Sequence, residues 1–332
     1  MTVVRLRPAK GRGRPAPGAP VEGQVRALRL QRKLAWAGAA LGLVVGLVAF
    51  LPASLLAHAV GSATNDQFML AEAEGTVWNG SALAVLTGGR GPDGQDSRDA
   101  SVLPSRLSWR LRPHWNGLAL HLSQDCCLPH GVDLSVRRAG GAWRVAVVGP
   151  GEDPDAPPEP LGRGGAVAEG AGSPDAVAMA SATPIGQWPL GWLEGRGFPW
   201  STIHPGGLLT LTTHRLSFSY RDGHWHAHGS AQLDINKASS SLTTLGTLGT
   251  YRVLIQADPV SEPRPGEGAT RSVVWISTLD GALLIDGRGL IGAQGVRLRA
   301  EAHAAAGAES ALDNLLNLIG RRNGALSVIS IG

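Results

Sequence analysis

Arg106 to Arg112 sets Leu107, Trp109 and Leu111 in alternation with Arg106, Ser108, Arg110 and Arg112, and a period of two over that length specifies a strand with one buried face. Leu118, Leu120 and Leu122 continue the code beyond a turn at Pro113 to Gly117. Val132 to Val136, Trp143 to Val148, Leu208 to Thr212, Leu216 to Tyr220, Tyr251 to Ile255, Val273 to Ser277, Leu283 to Ile285 and Val296 to Ala300 are further strand candidates, with Ser327 to Ile331 as a terminal one. Many antiparallel strands joined by short loops predict an all-β body. The 46 glycines and 22 prolines supply its turns, and 43% hydrophobic residues suffice for a core.

Gly75 to Ala82, Gly-Thr-Val-Trp-Asn-Gly-Ser-Ala, reads as a tight hairpin at the start of this body. Thr76, Val77 and Trp78 favour a strand, Asn79-Gly80 suits the two positive φ angles of a type I′ turn, and Ser81 to Thr87 is the returning strand. A two-residue turn pairs Trp78 with Ser81 and sets the indole diagonally beside Leu83. Nothing in the stretch has catalytic chemistry.

Ahead of the hairpin, Leu34 to Ala57 contains no charged residue, and Leu34 to Leu51 is almost wholly Leu, Val, Ala and Gly before Pro52. Those first 18 residues span roughly 27 Å as a helix, and extension past Pro52 covers a bilayer core. The chain carries +4 in all, yet nine Lys or Arg against Glu22 alone give residues 1–33 a charge of +8 and leave −4 on the rest. Positive charge before the span predicts a cytoplasmic N-terminus and an exported body. A signal peptide cleaved near Ala57-His58-Ala59 is the competing reading, disfavoured by the long leader and long apolar run. An acidic body argues against nucleic-acid binding, which needs clustered Lys and Arg.

Two long loops are expected at Gly88 to Ala100 and Pro259 to Thr270, and Gly149 to Thr183 has the Pro, Gly, Ala and acidic composition of a disordered linker. The layout is therefore a basic cytoplasmic tail over 1–33, a transmembrane helix over 34–57, a β-rich half over 60–148, a linker over 149–183 and a second β-rich half over 184–332. Leu312, Leu315, Leu316 and Ile319 follow helical spacing, with Glu309 in the first turn, Gly320 as the stop and Arg321-Arg322 suited to the C-terminal dipole. The two cysteines, Cys126 and Cys127, are adjacent: they could bond to each other, pair between chains, or stay as buried thiols.

His224, His226 and His228 alternate along one strand and would share a face, the one arrangement here that could seed a zinc or copper site. It lacks an H-E-x-x-H partner, and a polar stripe on a wet face needs no ion. There is no G-x-S-x-G elbow and no Gly-Lys-Ser or Gly-Lys-Thr, so neither serine hydrolysis nor nucleotide hydrolysis is expected, and no cofactor motif is present.

Placed just after one N-terminal apolar span, Gly75 to Ala82 resembles the type II secretion system protein N family, the general secretion pathway N components. Leu107-Ser108-Trp109 with Pro113 downstream, Gly246 to Leu254 (G-T-L-G-T-Y-R-V-L) and Leu315 to Gly324 (L-L-N-L-I-G-R-R-N-G) agree in order and placement. The motif residues are Gly75, Thr76, Val77, Trp78, Asn79 and Gly80, then Leu248, Gly249, Tyr251 and Arg252, then Gly320, Arg321 and Arg322. The resemblance implies a non-enzymatic accessory or scaffold component of that machine. It would be single-pass in the inner membrane with an elongated, antiparallel, β-rich periplasmic body and a short C-terminal helix, and would partner other inner-membrane components. The family is also similar to AsmA-like lipid-transfer proteins, which keeps lipid binding as the alternative. The long arginine-rich leader and the 149–183 insertion depart from the family pattern.

Overall fold

The computed structural model describes residues 21–89, 99–139, 141–149, 184–221, 224–257, 272–292 and 295–332. The chain divides into two compact units, Met1–Phe50 and Leu51–Gly332. In the first, α1 runs Val21–Ala49. The helix expected over 34–57 is interrupted: α1 ends, Pro52 supplies no amide to continue it, and α2 starts anew over Ala53–Ala63. Residues 53–57 thus belong to the second unit, with Ala53 in its core at 1% exposure. Among the described residues no helix is long and apolar enough to cross a membrane.

The second unit is mainly β. Its strands are β1 (Phe68–Gly75), β2 (Asn79–Thr87), β3 (Ala100–His114), β4 (Gly117–Gln124), β5 (Leu128–Ala139), β6 (Ala142–Val148), β7 (Gly186–Pro189), β8 (Gly206–Arg221), β9 (His224–Ser239), β10 (Gly249–Ala257), β11 (Ser272–Gly281), β12 (Leu283–Gly292), β13 (Gly295–Ala304), β14 (Arg321–Asn323) and β15 (Leu326–Ile331). They form one 15-stranded sheet in the order β1-β2-β3-β4-β5-β6-β8-β9-β10-β11-β12-β13-β15-β14, with β7 beside β8. Each described pairing is antiparallel. The two β-rich halves read from the sequence are therefore parts of a single sheet, joined where Trp143 to Ala146 of β6 pair with Tyr220 to Ser217 of β8. The linker read over 149–183 lies, but for Gly149, outside the described residues, as do the whole of the 259–270 loop and most of the 88–100 loop.

Two of the expected strands merge. Leu208 to Thr212 and Leu216 to Tyr220 are both within β8, whose alternation shifts at a bulge between His214 and Ser217, with Arg215 at φ 49°. The sheet's apolar face takes three separate covers, and each buries a small core. On the first strands α2 sets Ala53 and Leu56 against Ala82 and Trp109. Over the middle, β7 and the 3-10 helix Leu190–Arg196 bring Trp188 and Trp192 onto Ala84, Leu103 and Cys127. At the C-terminal strands α3 (Glu309–Ile319) seats Leu312, Leu315 and Leu316 on Leu283, Tyr251 and Ala302. This helix has the bounds its leucine spacing predicts. Arg321-Arg322 lies in β14 rather than in the helix's last turn, so its charges act from a strand.

Candidate functional site

The Gly75 to Ala82 hairpin has a different turn from the one its Asn-Gly dipeptide suggests. Gly75 pairs with Gly80 and Glu74 with Ser81, so the connection is Thr76 to Asn79 and the positive φ, 88°, falls on Gly75. Trp78 therefore does not pair with Ser81. Inside the turn the Thr76 amide donates to the Asn79 carbonyl at 2.9 Å and the Asn79 amide to Thr76 Oγ1 at 3.1 Å, which leaves both groups satisfied.

Trp109 on β3, 3% exposed, is the tryptophan that organises this corner. Its indole N–H donates to the carbonyl oxygens of Val77 at 3.1 Å and Thr76 at 3.3 Å. The ring lies against Gly80, where a Cβ would come within 2.6 Å of Cζ2 and 2.5 Å of the Glu74 carbonyl oxygen. Only hydrogen fits there. The Leu111 amide donates to the Trp78 carbonyl at 2.7 Å, and the Val77 amide to the Leu51 carbonyl at 2.9 Å, with Pro52 bridged to Thr76. The stretch from Thr76 to Gly80 is thus the fastening point for the residues that enter the second unit at Leu51. The alternation over 106–112 marks Trp109 as buried, but its bond to the turn depends on packing across three strands and has no local sequence signal.

The second motif fastens the middle of the sheet to its C-terminal part. The Leu248 amide donates to the Ala238 carbonyl at 2.6 Å, and the Leu248 carbonyl accepts from Ala282 at 2.8 Å and Leu283 at 3.0 Å. Gly249 faces Gly281, and a side chain on either would collide with backbone. Tyr251 is buried and its hydroxyl donates to the Leu283 carbonyl at 2.9 Å; burial pushes the phenol's pKa above its ordinary value. Arg252 forks onto Asp234, Nε to Oδ1 at 2.8 Å and Nη2 to Oδ2 at 3.0 Å. That hydrogen bonding raises the guanidinium pKa against a smaller desolvation effect.

The third motif locks α3 to the last strands. Beside Gly320 a Cβ would meet Ser327 Oγ at 2.6 Å and the Val328 carbonyl oxygen at 2.8 Å. Ser327, fully buried, donates to the Leu316 carbonyl at 2.6 Å and so ties the helix to β15. Arg322 Nη2 reaches Asp313 Oδ1 at 2.8 Å, and Nε the Gly324 carbonyl at 3.0 Å. Arg321 is exposed on the edge strand. Thus the motifs sit at three separate joints of the sheet.

The remaining candidates lie apart from these joints. His224, His226 and His228 are on β9 opposite Arg221, Ser219 and Ser217, which keeps them on one face; the His224 side chain lies outside the described residues. Among the described residues no group of three His, Cys, Asp or Glu could hold a metal ion. Cys126 and Cys127 are bonded to each other at the β4–β5 turn, with the Cys127 carbonyl accepting from the Gln187 amide at 2.8 Å. An open cavity of about 550 Å³ near the C-terminal strands is lined by Arg288, Leu290, Arg297, Arg299 and Ser330. Arg288 and Arg299 face each other across β12 and β13, and the Arg288 guanidinium lies 5.7 Å from the centre of the Trp275 ring. Its lining combines three arginines with apolar side chains and the backbone of Gly289 and Gly332.

No curated protein and no solved structure matches the chain. The family model described as type II secretion system (T2SS), protein N, matches residues 67–328, a span that begins one residue before β1 and ends in β15. All three motifs fall inside it. A match over that span, most of the chain, means that the chain belongs to the type II secretion system protein N family.

Proposed function

We propose that this chain is a non-enzymatic accessory component of the type II secretion apparatus, held in the inner membrane by its N-terminal apolar run, with the sheet on the periplasmic side. The observation that carries the reading is the family match over residues 67–328, which starts where the sheet starts and follows on the N-terminal apolar run. A charge-free stretch from Leu34 to Ala57, preceded by nine Lys or Arg, suits an inner-membrane anchor with the following chain on the periplasmic side. Docking of other inner-membrane components of the machine is the role proposed for the sheet.

The test is secretion of a known type II substrate from cells lacking the gene, complemented with wild type or with Gly80→Val at matched abundance. Restoration by wild type and failure by the variant support both the secretion role and the part played by the hairpin. Normal secretion without the gene removes the reading.

A second reading, lipid binding, is favoured by one feature. On the apolar face of the sheet, away from the three covers, Leu118, Trp143 and Phe218 are 37%, 47% and 37% exposed on β4, β6 and β8, with β5 between the first two. Copurification of stoichiometric lipid with the full chain, lost in Phe218→Asp, would move the assignment to lipid handling.

A further inference from the structure

We propose that the tips of the β3–β4 and β5–β6 hairpins rest on the surface of an anionic lipid bilayer, an inference that builds on the membrane anchorage proposed above.

The register sets these tips at the end of the sheet where the chain enters. Leu51 and Pro52 meet the β1–β2 turn at Val77 and Thr76. Asn79, closing that turn, lies beside Arg110, and β3 runs four residues further to His114. Gly117, across the β3–β4 turn, pairs with Arg137, and Arg137 pairs with Arg144, so the β5–β6 turn is at the same end.

The charge on these tips opposes that of the body. Arg110, Arg112, Arg137, Arg138 and Arg144 fall within 110–121 and 134–148, and those two stretches contain no Asp or Glu. Chain beyond residue 33 is otherwise acidic on balance. Arg110, Arg112 and Arg138 are exposed. Between the arginines stands Trp115, fully exposed at the turn, and Trp143 at the neighbouring tip is half-exposed. Interfacial tryptophan flanked by arginine suits the headgroup layer, where the ring meets the acyl boundary while guanidinium groups pair with lipid phosphate.

The β3–β4 tip is held in place. The Arg138 amide donates to the Asn116 carbonyl at 2.9 Å and ties the first tip to β5. Gly117 abuts Val136 so closely that a Cβ would overlap its carbonyl. An indole kept in water on so braced a turn gains no burial from the fold; a bilayer surface supplies it. An acidic protein partner could use the same arginines, and the experiment separates the two.

The full-length protein is reconstituted in phosphatidylcholine vesicles with none, or with about a third, of the lipid replaced by phosphatidylglycerol. An environment-sensitive fluorophore is attached through Trp115→Cys or, at the opposite end of the sheet, through Gly246→Cys, which has open space around it. Quenching is read with headgroup spin-labelled lipid. The expected result is quenching at position 115 at least about threefold stronger than at 246, present with phosphatidylglycerol and reduced by Arg112→Ser with Arg138→Ser. Equal, low quenching at both positions in protein that stays in the vesicles after alkaline carbonate washing overturns the proposal. Indifference to phosphatidylglycerol overturns it as well. So does a position-115 probe shielded only when other inner-membrane secretion components are added, which assigns the tips to a protein. Release of the protein by carbonate is a different failure, that of the anchorage reading.

Discussion

The indole N–H of Trp109 and the carbonyl oxygen of Val77 are 3.1 Å apart, so a core tryptophan of β3 closes the turn between β1 and β2. Replacing Trp109 with Phe keeps most of the packing and removes the donor, and is expected to cost about 1–3 kcal/mol through the carbonyl left without it. Trp109→Ala adds a cavity and is expected to cost about 3–5 kcal/mol. Denaturant melts of the detergent-purified protein measure both. Near-equal effects of the two substitutions would mean that the hydrogen bond, not the packing, dominates.

Gly80 is expected to resist a side chain. Ala in its place forces the Trp109 ring or the Glu74 carbonyl to move, at a cost of about 1–3 kcal/mol. Gly246→Ala, which meets nothing within 4 Å, serves as the neutral comparison in the same melts.

Tyr251 makes stability fall at high pH. Its folded pKa is raised by burial, so its contribution is complete below the unfolded value near 10 and declines as pH rises toward the folded value. The slope from this group approaches about 1.4 kcal/mol per pH unit above pH 10. Tyr251→Phe should flatten the decline between pH 9 and 11, a window set by the ordinary tyrosine value, while costing about 1 kcal/mol at pH 7 for the bond to Leu283. A parallel pH profile for wild type and variant would rule out this origin.

The α3 joint depends on its leucines rather than on its ion pair. Leu315→Ala, at a site 2% exposed, is expected to cost about 2–5 kcal/mol. Asp313→Asn removes the exposed pair with Arg322 and is expected to change stability by less than about 1 kcal/mol. Thermal melts of the two variants should differ in that order.

How far these features could be read from the chain depended on how local their causes are. The strand around Trp109 and the helix from Glu309 to Ile319 were legible because burial there recurs with one unbroken period. The strand β8 was read as two pieces because its bulge at His214 to Ser217 breaks the alternation. Asn79-Gly80 misled for another reason. The I′ preference of that dipeptide is a local bias, and it was outweighed by the wedge of Trp109 against Gly80 and by the satisfied Thr76–Asn79 turn. The union of both halves through β6 and β8 links Trp143 to Tyr220, and no periodicity reports a partner that far along the chain. At the joints, the motif residues were legible as a set, whereas the groups that they fasten, Leu51, Asp234 and Asp313, were not.

The strand order of the sheet follows the order of the chain almost throughout, with β7 and the β15–β14 exchange as the departures. Each strand finds its neighbour among residues just made, so the sheet can grow by accretion from its first hairpin as the chain is delivered, and few loops must close over long distances before contacts reward them. At the junction where sheet neighbours lie furthest apart in the chain, β6 and β8, the short β7 lies beside β8, so accretion continues in the same direction across the join.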